Sequence, residues 1–211
     1  MHISKEDIRN ASHKFRLNLI NSISGIKPAN LIGTVSSING NNLAVISSVV
    51  HLGSDPALLG FIMRPTLEIR RDTYNNILEN GCFTINHMQE NMIERAHYTS
   101  VKFPAEVSEF DACELEAEFL NDFPAPFVTE SLVKIGLKHI ETVNIQANQT
   151  MMIVGEVQDI YLPKENIDDR GYLTLDAMNT AGIGGLNFYY SIKKIAEFPY
   201  ARLSEIPQFE K

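Results

Sequence analysis

The sequence predicts an α+β protein, mainly β, built on an antiparallel barrel with helices packed outside it. Three observations carry this reading. Asn39-Gly40 separates two runs rich in β-branched residues, "NLIGTVSSI" and "NLAVISSVVHL", and Asn-Gly between such runs is the strongest short hairpin signal. Two long strands follow late in the chain, "FVTESLVKIGLKHIETVNI" and "TMMIVGEVQDIYLP"; in the first, Val133, Ile135 and Leu137 alternate with Lys134 and Lys138. Strands and helices do not alternate regularly, so a doubly wound parallel sheet is not expected.

In chain order, "SKEDIRNASHKFRLNLINSIS" opens as a helix over about 5–24. Ser4 caps it, Asp7 sits three residues on, and Phe15, Leu19 and Ile23 form one apolar stripe until Gly25 and Pro28 stop it. The hairpin at Asn39-Gly40 comes next, with "NLAVISSVVHL" as one strand. "SDP" turns the chain into "ALLGFIMR", a further strand of the same meander. Asp72 or Thr73 can cap a short helix that Gly81 ends, and "CFTINHM" is a strand. "NMIERAHYTS" and "EVSEFDACELEAEF" read as helices joined by a loop at "VKFPA". Gly155, inside the last long strand, marks a bulge or the close approach of another group. The stretch "LTLDAMNTAGIGGLNFYYSIKKIAEFPYARL" reads as a helix, a Gly-rich loop and an aromatic segment.

The 211 residues fit a single domain with one sizeable core. A formal net charge of −8 argues against nucleic acid, which needs a basic face. No apolar run approaches the roughly 18 residues of a membrane helix. The charged opening "MHISKEDIRN" has no apolar core of a signal peptide, and Cys82 and Cys113 form no motif. The expectation is therefore a reducing cytoplasm. "GIGG" at Gly182 to Gly185 does not open a Rossmann helix, and no Walker A sequence is present. His87, His97 and His139 show no metal-ligand spacing.

The stretch "SSVVHLGSDPALLGFIMRP" puts a Ser pair and a His in an apolar run and ends on an Arg before Pro. From the residues alone, Ser47 and Ser48 read more simply as hydrogen-bonding groups of a strand edge, and His51 as structural. Arg70 and Arg71 read equally as a solvated helix start, and Asp111, Glu114, Glu116 and Glu118 as a solvated helix face.

Several blocks in order carry more. "NLAVISSVVHLGSDPALLGFIMRP", then "RRDTYNNILENGCFTINHM", then "AHYTSVKFPAEVSEFD", then "MMIVGEVQDIYLP" resemble the flavin reductase-like family with the FMN-binding split-barrel fold, over roughly Ser22 to Tyr200. The resemblance implies an NAD(P)H-dependent flavin reductase that holds FMN, with FAD less expected. It implies that Ser47, Ser48, Val49 and Val50 line the ring and ribityl chain and that Met63 is a soft wall. It implies that Arg64, Arg71 and Thr73 hold the phosphate, and that Thr99, Ser100 and Lys102 form a second wall. A homodimer with flavin near the subunit boundary is implied too, as is delivery of reduced flavin to a partner monooxygenase. From its alternation, the face of Val133, Ile135 and Leu137 either supplies part of the subunit surface or packs inside the barrel of its own chain. One departure stands out. Many NADH-using flavin reductases of this fold carry Gly-Asp-His on a late strand, whereas here Gly155 and Glu156 are followed by Val157. A flavin-binding electron carrier without efficient nicotinamide turnover is the alternative this leaves open.

Overall fold

The computed structural model describes residues 1–65 and 71–209; the expectation for Arg70 lies outside them. Two helices, α1 (Lys5–Asn10) and α2 (His13–Ser22), stand in place of the single one expected over 5–24. The reciprocal Ser4–Asp7 capping box starts α1 as expected. The break follows from a second cap: Ala11 is extended and the Ser12 hydroxyl accepts the N–H of Phe15, starting a new helix.

β1 (Lys27–Pro28), β2 (Asn30–Ser36) and β3 (Gly40–Ile46) follow. The β2–β3 hairpin turns at residues 37–39, where the Ser36 hydroxyl accepts the N–H groups of Ile38 and Asn39 and Gly40 takes φ +75°. The run "NLAVISSVVHL" is not one strand. β3 ends at Ile46, and β4 (Val50–Ser54) pairs instead with β5 (Ala57–Met63) across the turn at Asp55-Pro56. α3 (Asp72–Asn80) is closed by Gly81 at φ +69°, and β6 (Cys82–His87) follows.

After a 3₁₀ turn come α4 (Ile93–Tyr98) and α5 (Glu109–Ala112), then β7 (Ala117–Glu118) and β8 (Phe127–Val128). The helix expected through "EVSEFDACELEAEF" therefore shrinks to one turn. Its buried residues Phe110, Cys113 and Leu115 change spacing from three to two, and Glu114 adopts φ +54°, so no helical stripe continues. β9 (Lys134–Ile145) and β10 (Thr150–Tyr161) are the long hairpin. The expected Gly-rich loop is in fact a strand: β11 (Ala181–Gly184) pairs with β1 on one side and with β12 (Phe188–Ser191) on the other. No α-helix occurs among the described residues between β10 and β11.

Seven strands form one antiparallel sheet in the order β3-β2-β6-β9-β10-β5-β4. Its two edge strands, β3 and β4, are consecutive in the chain. The four Cα steps from Ile46 to Val50 span at most about 15 Å, whereas six strand spacings would hold the edges of a flat sheet about 29 Å apart. The sheet must curl until its edges approach, and they approach without pairing. The result is a barrel split between β3 and β4.

Adjacent residues of one strand serve opposite faces. Ile32 joins Phe61, Phe83, Leu137 and Ile153 inside the barrel, while Leu31 joins Leu43, Met88 and Phe110 under the helices outside. Val133 and Leu137 are buried and Ile135 packs on the barrel core. That face of β9 is consumed within its own chain, so of its two expected placements the barrel interior is the one found. Gly155 sits at a shift in the β9–β10 register, and a Cβ there would lie 2.6 Å from Cζ of Phe83, so both expectations for it hold.

Candidate functional site

Three segments converge at the split. The connection of residues 47–49 crosses from one edge strand to the other. The Ser48 hydroxyl clamps it to β5, accepting the N–H of Ile62 at 3.0 Å and donating to the Ile62 carbonyl at 3.3 Å. Two residues before Ser47, the N–H of Val45 donates to Thr99 Oγ1 at 3.0 Å, and Thr99 donates to the Ala96 carbonyl at 2.7 Å. This fastens the end of α4 to β3. The third segment, Arg64-Pro65, leaves β5 just beyond Ile62 and meets the start of α3 where Arg71 Nε donates to the Pro65 carbonyl at 3.4 Å.

Ser47, Ser48 and Val49 are half-buried, and their backbone N–H groups have no acceptor among the described residues. Unpaired donors of this kind are open to the acceptors of a ligand. Close by are two cations. Burial, and then the neighbouring charge of Arg64, pull the Arg71 guanidinium below its ordinary range. No carboxylate lies within 4.0 Å of Arg64 or Arg71 among the described residues. Arg71 is also the N-cap of the nine-residue α3; its side chain makes no capping bond, and Asp72 sits in the first turn. Two like charges beside a helix start favour an anion, against the one carboxylate there.

The other expected site residues divide. Val50 is exposed on β4, and Ser100 and Lys102 are exposed beyond α4. Met63 is buried in the barrel core and Thr73 lies inside the fold, its hydroxyl accepting from Asn42 Nδ2 at 3.1 Å. Thr73 is thus turned from the surface into a network with Asn42, Thr34 and Asn76. Thr99 is a tie between elements rather than an open wall. A hollow of about 390 Å³ lies elsewhere, bordered by Asn39, Glu106, Asp111 and Glu116. Its three carboxylates would repel an anion.

The description "Flavin reductase like domain" matches residues 26–179. The chain belongs to this family. A split-barrel protein of Shewanella frigidimarina NCIMB 400, assigned as a flavin reductase, superposes on it with TM-score 0.91 at 42% identity, covering 95% of this chain and 100% of that one. Component B of nitrilotriacetate monooxygenase from Bacillus cereus superposes with TM-score 0.82 over 94% of this chain and 98% of that one; at 15% identity the likeness is one of fold. The uncharacterized protein YwrF of Bacillus subtilis strain 168 is 27% identical over 168 residues, 77% of this chain and 82% of that protein.

This flavin reductase-like chain holds further polar groups that sequence reasoning passed over. Asn30 faces Ile46 on one side and His87 on the other. Asn30 Nδ2, His87 Nδ1 and Gln89 Nε2 are shielded from solvent and have no protein partner among the described residues. Burial pushes His87 down to about 4, so it is neutral. His97 Nδ1 meets the Tyr189 hydroxyl at 3.0 Å and braces α4 against β12. The only signal for these was polar residues at strand ends, which scattered histidines do not distinguish from surface. No described helix is long and apolar enough to cross a membrane.

Proposed function

We propose that this chain is an FMN-binding oxidoreductase that uses NAD(P)H to reduce flavin, with one flavin site in a single domain. One observation carries the proposal: the backbone N–H groups of three consecutive half-buried residues, Ser47, Ser48 and Val49, have no partner among the described residues where the barrel splits. The pyrimidine edge of an isoalloxazine offers the acceptors such a row lacks. Arg64, Arg71 and the start of α3 suit a phosphate monoester, which carries close to two negative charges near neutral pH. The esterified phosphates of FAD carry less charge each, so FMN is the better match.

Flavin, when bound, supplies a centre that accepts hydride. The residues of this chain bind and orient: Ser47 to Val49 fix the ring edge, the Ser48–Ile62 clamp holds them in place, and Arg64 and Arg71 anchor the tail. Hydride transfer needs no side-chain acid or base. The proposal includes a homodimer, a cytoplasmic setting and a partner monooxygenase as acceptor, the last suggested by the Bacillus cereus monooxygenase component.

A second reading, an electron carrier without efficient nicotinamide turnover, is favoured by Val157. It packs against the barrel core and presents no ring nitrogen where the family resemblance expects a His. Titration of the apo-protein with FMN and FAD tests the cofactor, with micromolar FMN binding expected. No binding of micromolar FMN removes both readings. Oxidation of NADH or NADPH by the FMN-loaded protein supports the reductase; a buffer-level rate selects the carrier.

A further inference from the structure

Two parts of this chain have no counterpart in its own core. α1 and α2 bury none of their residues, and Phe15, Ile20 and Ile23 are 52, 45 and 70% exposed. Beyond β12 the described chain runs on with a single 3₁₀ turn (Leu203–Glu205) and no strand pairing. Along it Ile195, Phe198, Tyr200 and Leu203 are 93, 84, 86 and 88% exposed. Pro199 and Pro207 keep this segment from coiling into a helix that could cover those side chains itself.

The root of the segment is fixed. The Lys194 N–H donates to Asp176 Oδ2 at 3.2 Å, and Arg170 holds Glu197 at 2.8 Å. Past Glu197 the arm is free of such ties to the barrel among the described residues. Residues 198–209 can reach up to about 40 Å, more than twice the radius of gyration of about 17 Å expected for a compact chain of this length.

The surface area says what is missing. A compact monomer of 23.7 kDa exposes about 9,800 Å², and this chain exposes 13,666 Å². Half of that excess, removed from each of two chains, falls in the range of roughly 2,000–5,000 Å² that obligate dimers bury. The barrel offers less exposed apolar side chains: Val50, Leu52, Ile140, Val143 and Ile160 on its strands are 42–57% exposed against 84–93% along the arm, and Val133 and Leu137 are spent inside it.

We propose that residues 198–209 form an exchange arm that seats on α1 and α2 of a second copy of this chain, the two arms closing the dimer reciprocally. The inference rests on the homodimer of the proposed function and names the segments that make it. Reciprocal exchange gives a closed two-fold assembly and covers apolar side chains of both kinds at once. It leaves no arm over to recruit a third chain.

Light scattering over a dilution series tests this on three proteins: the full chain, a chain ending at Ser191, and the full chain with Phe198→Ser, Tyr200→Ser and Leu203→Ser. The full chain is expected at two-chain mass. Both variants are expected to dissociate at protein concentrations at least a hundredfold higher, with unchanged far-ultraviolet dichroism. The triple variant decides if the shortened chain does not fold, because its substitutions lie at exposed positions. One-chain mass for the full chain at every concentration overturns the proposal, as does a triple variant that dimerises like the parent. FMN titration of the full chain in the same samples reads the flavin proposal separately, since its failure leaves the masses untouched.

Discussion

The hydroxyl of Thr99 accepts the backbone N–H of Val45 at 3.0 Å while donating to the carbonyl of Ala96 at 2.7 Å. One buried oxygen thereby sets the distance between the end of α4 and the strand that leads into Ser47. Thr99→Val keeps the shape and orphans the Val45 N–H. The expected loss is about 1–3 kcal/mol in unfolding free energy, read by urea denaturation with an unchanged slope. Thr99→Ser restores most of it. Wild-type stability for Thr99→Val would show that the tie carries no weight.

Arg64→Ala and Arg71→Ala are each expected to weaken FMN by about 1.5–3 kcal/mol, roughly ten- to a hundredfold. Riboflavin lacks the phosphate and should bind both variants like the parent. Calorimetric titration with the two ligands separates a phosphate contact from general damage. Unchanged FMN affinity in both variants moves the phosphate elsewhere, with exposed Lys102 next to test.

Gly155→Ala drives a methyl group to 2.6 Å from Cζ of Phe83, which stands edge-on to Phe61 in the core. Overpacking of this kind destabilises by about 1–3 kcal/mol. Phe83→Leu in the same chain should relieve part of the strain, so the two changes should be less harmful together than their sum. Strict additivity in thermal or urea unfolding would contradict the contact.

His87 is neutral in the fold, pushed down to about 4 by burial from an ordinary value of 6.5. The unfolded chain takes up this proton first as pH falls. The stability His87 contributes is complete above pH 6.5 and is lost progressively toward pH 4, about 3 kcal/mol in all. His87→Gln should therefore flatten the dependence of the urea midpoint on pH inside that window and leave it unaltered above. Parallel curves for parent and variant would refute the assignment.

What could be read from the chain beforehand was what local chemistry specifies. The Ser4–Asp7 capping box, the Asn39-Gly40 hairpin, the helix ending at Gly81 and the β9–β10 pair each depend on neighbours in sequence, and each is present. The break at Ser47 was not legible. "ISSVV" has unbroken strand propensity, and only closure of the barrel decides that the chain changes edges there. "GIGG" carries no periodic signal, so a strand built largely of glycine reads as a loop until its partners Lys27 and Tyr189 are known. In the site, the hydroxyls of Thr73 and Thr99 turn into the protein, because the phase of a helix end decides whether a hydroxyl points to solvent or to a neighbouring strand.

The pairing of β1 with β11 has a consequence for synthesis. Lys27 meets Ile183, and the backbone of Ala29 is bonded to both Met88 and Ala181. On the ribosome the first strand has no partner until nearly the whole chain has emerged. At about 5–20 residues per second that wait is on the order of 10–30 s. Throughout it, the unpaired first strand and an unclosed apolar sheet are open to the nascent chains of neighbouring ribosomes. A holdase acting before residue 181 is translated should raise the yield of native protein more than one added after release.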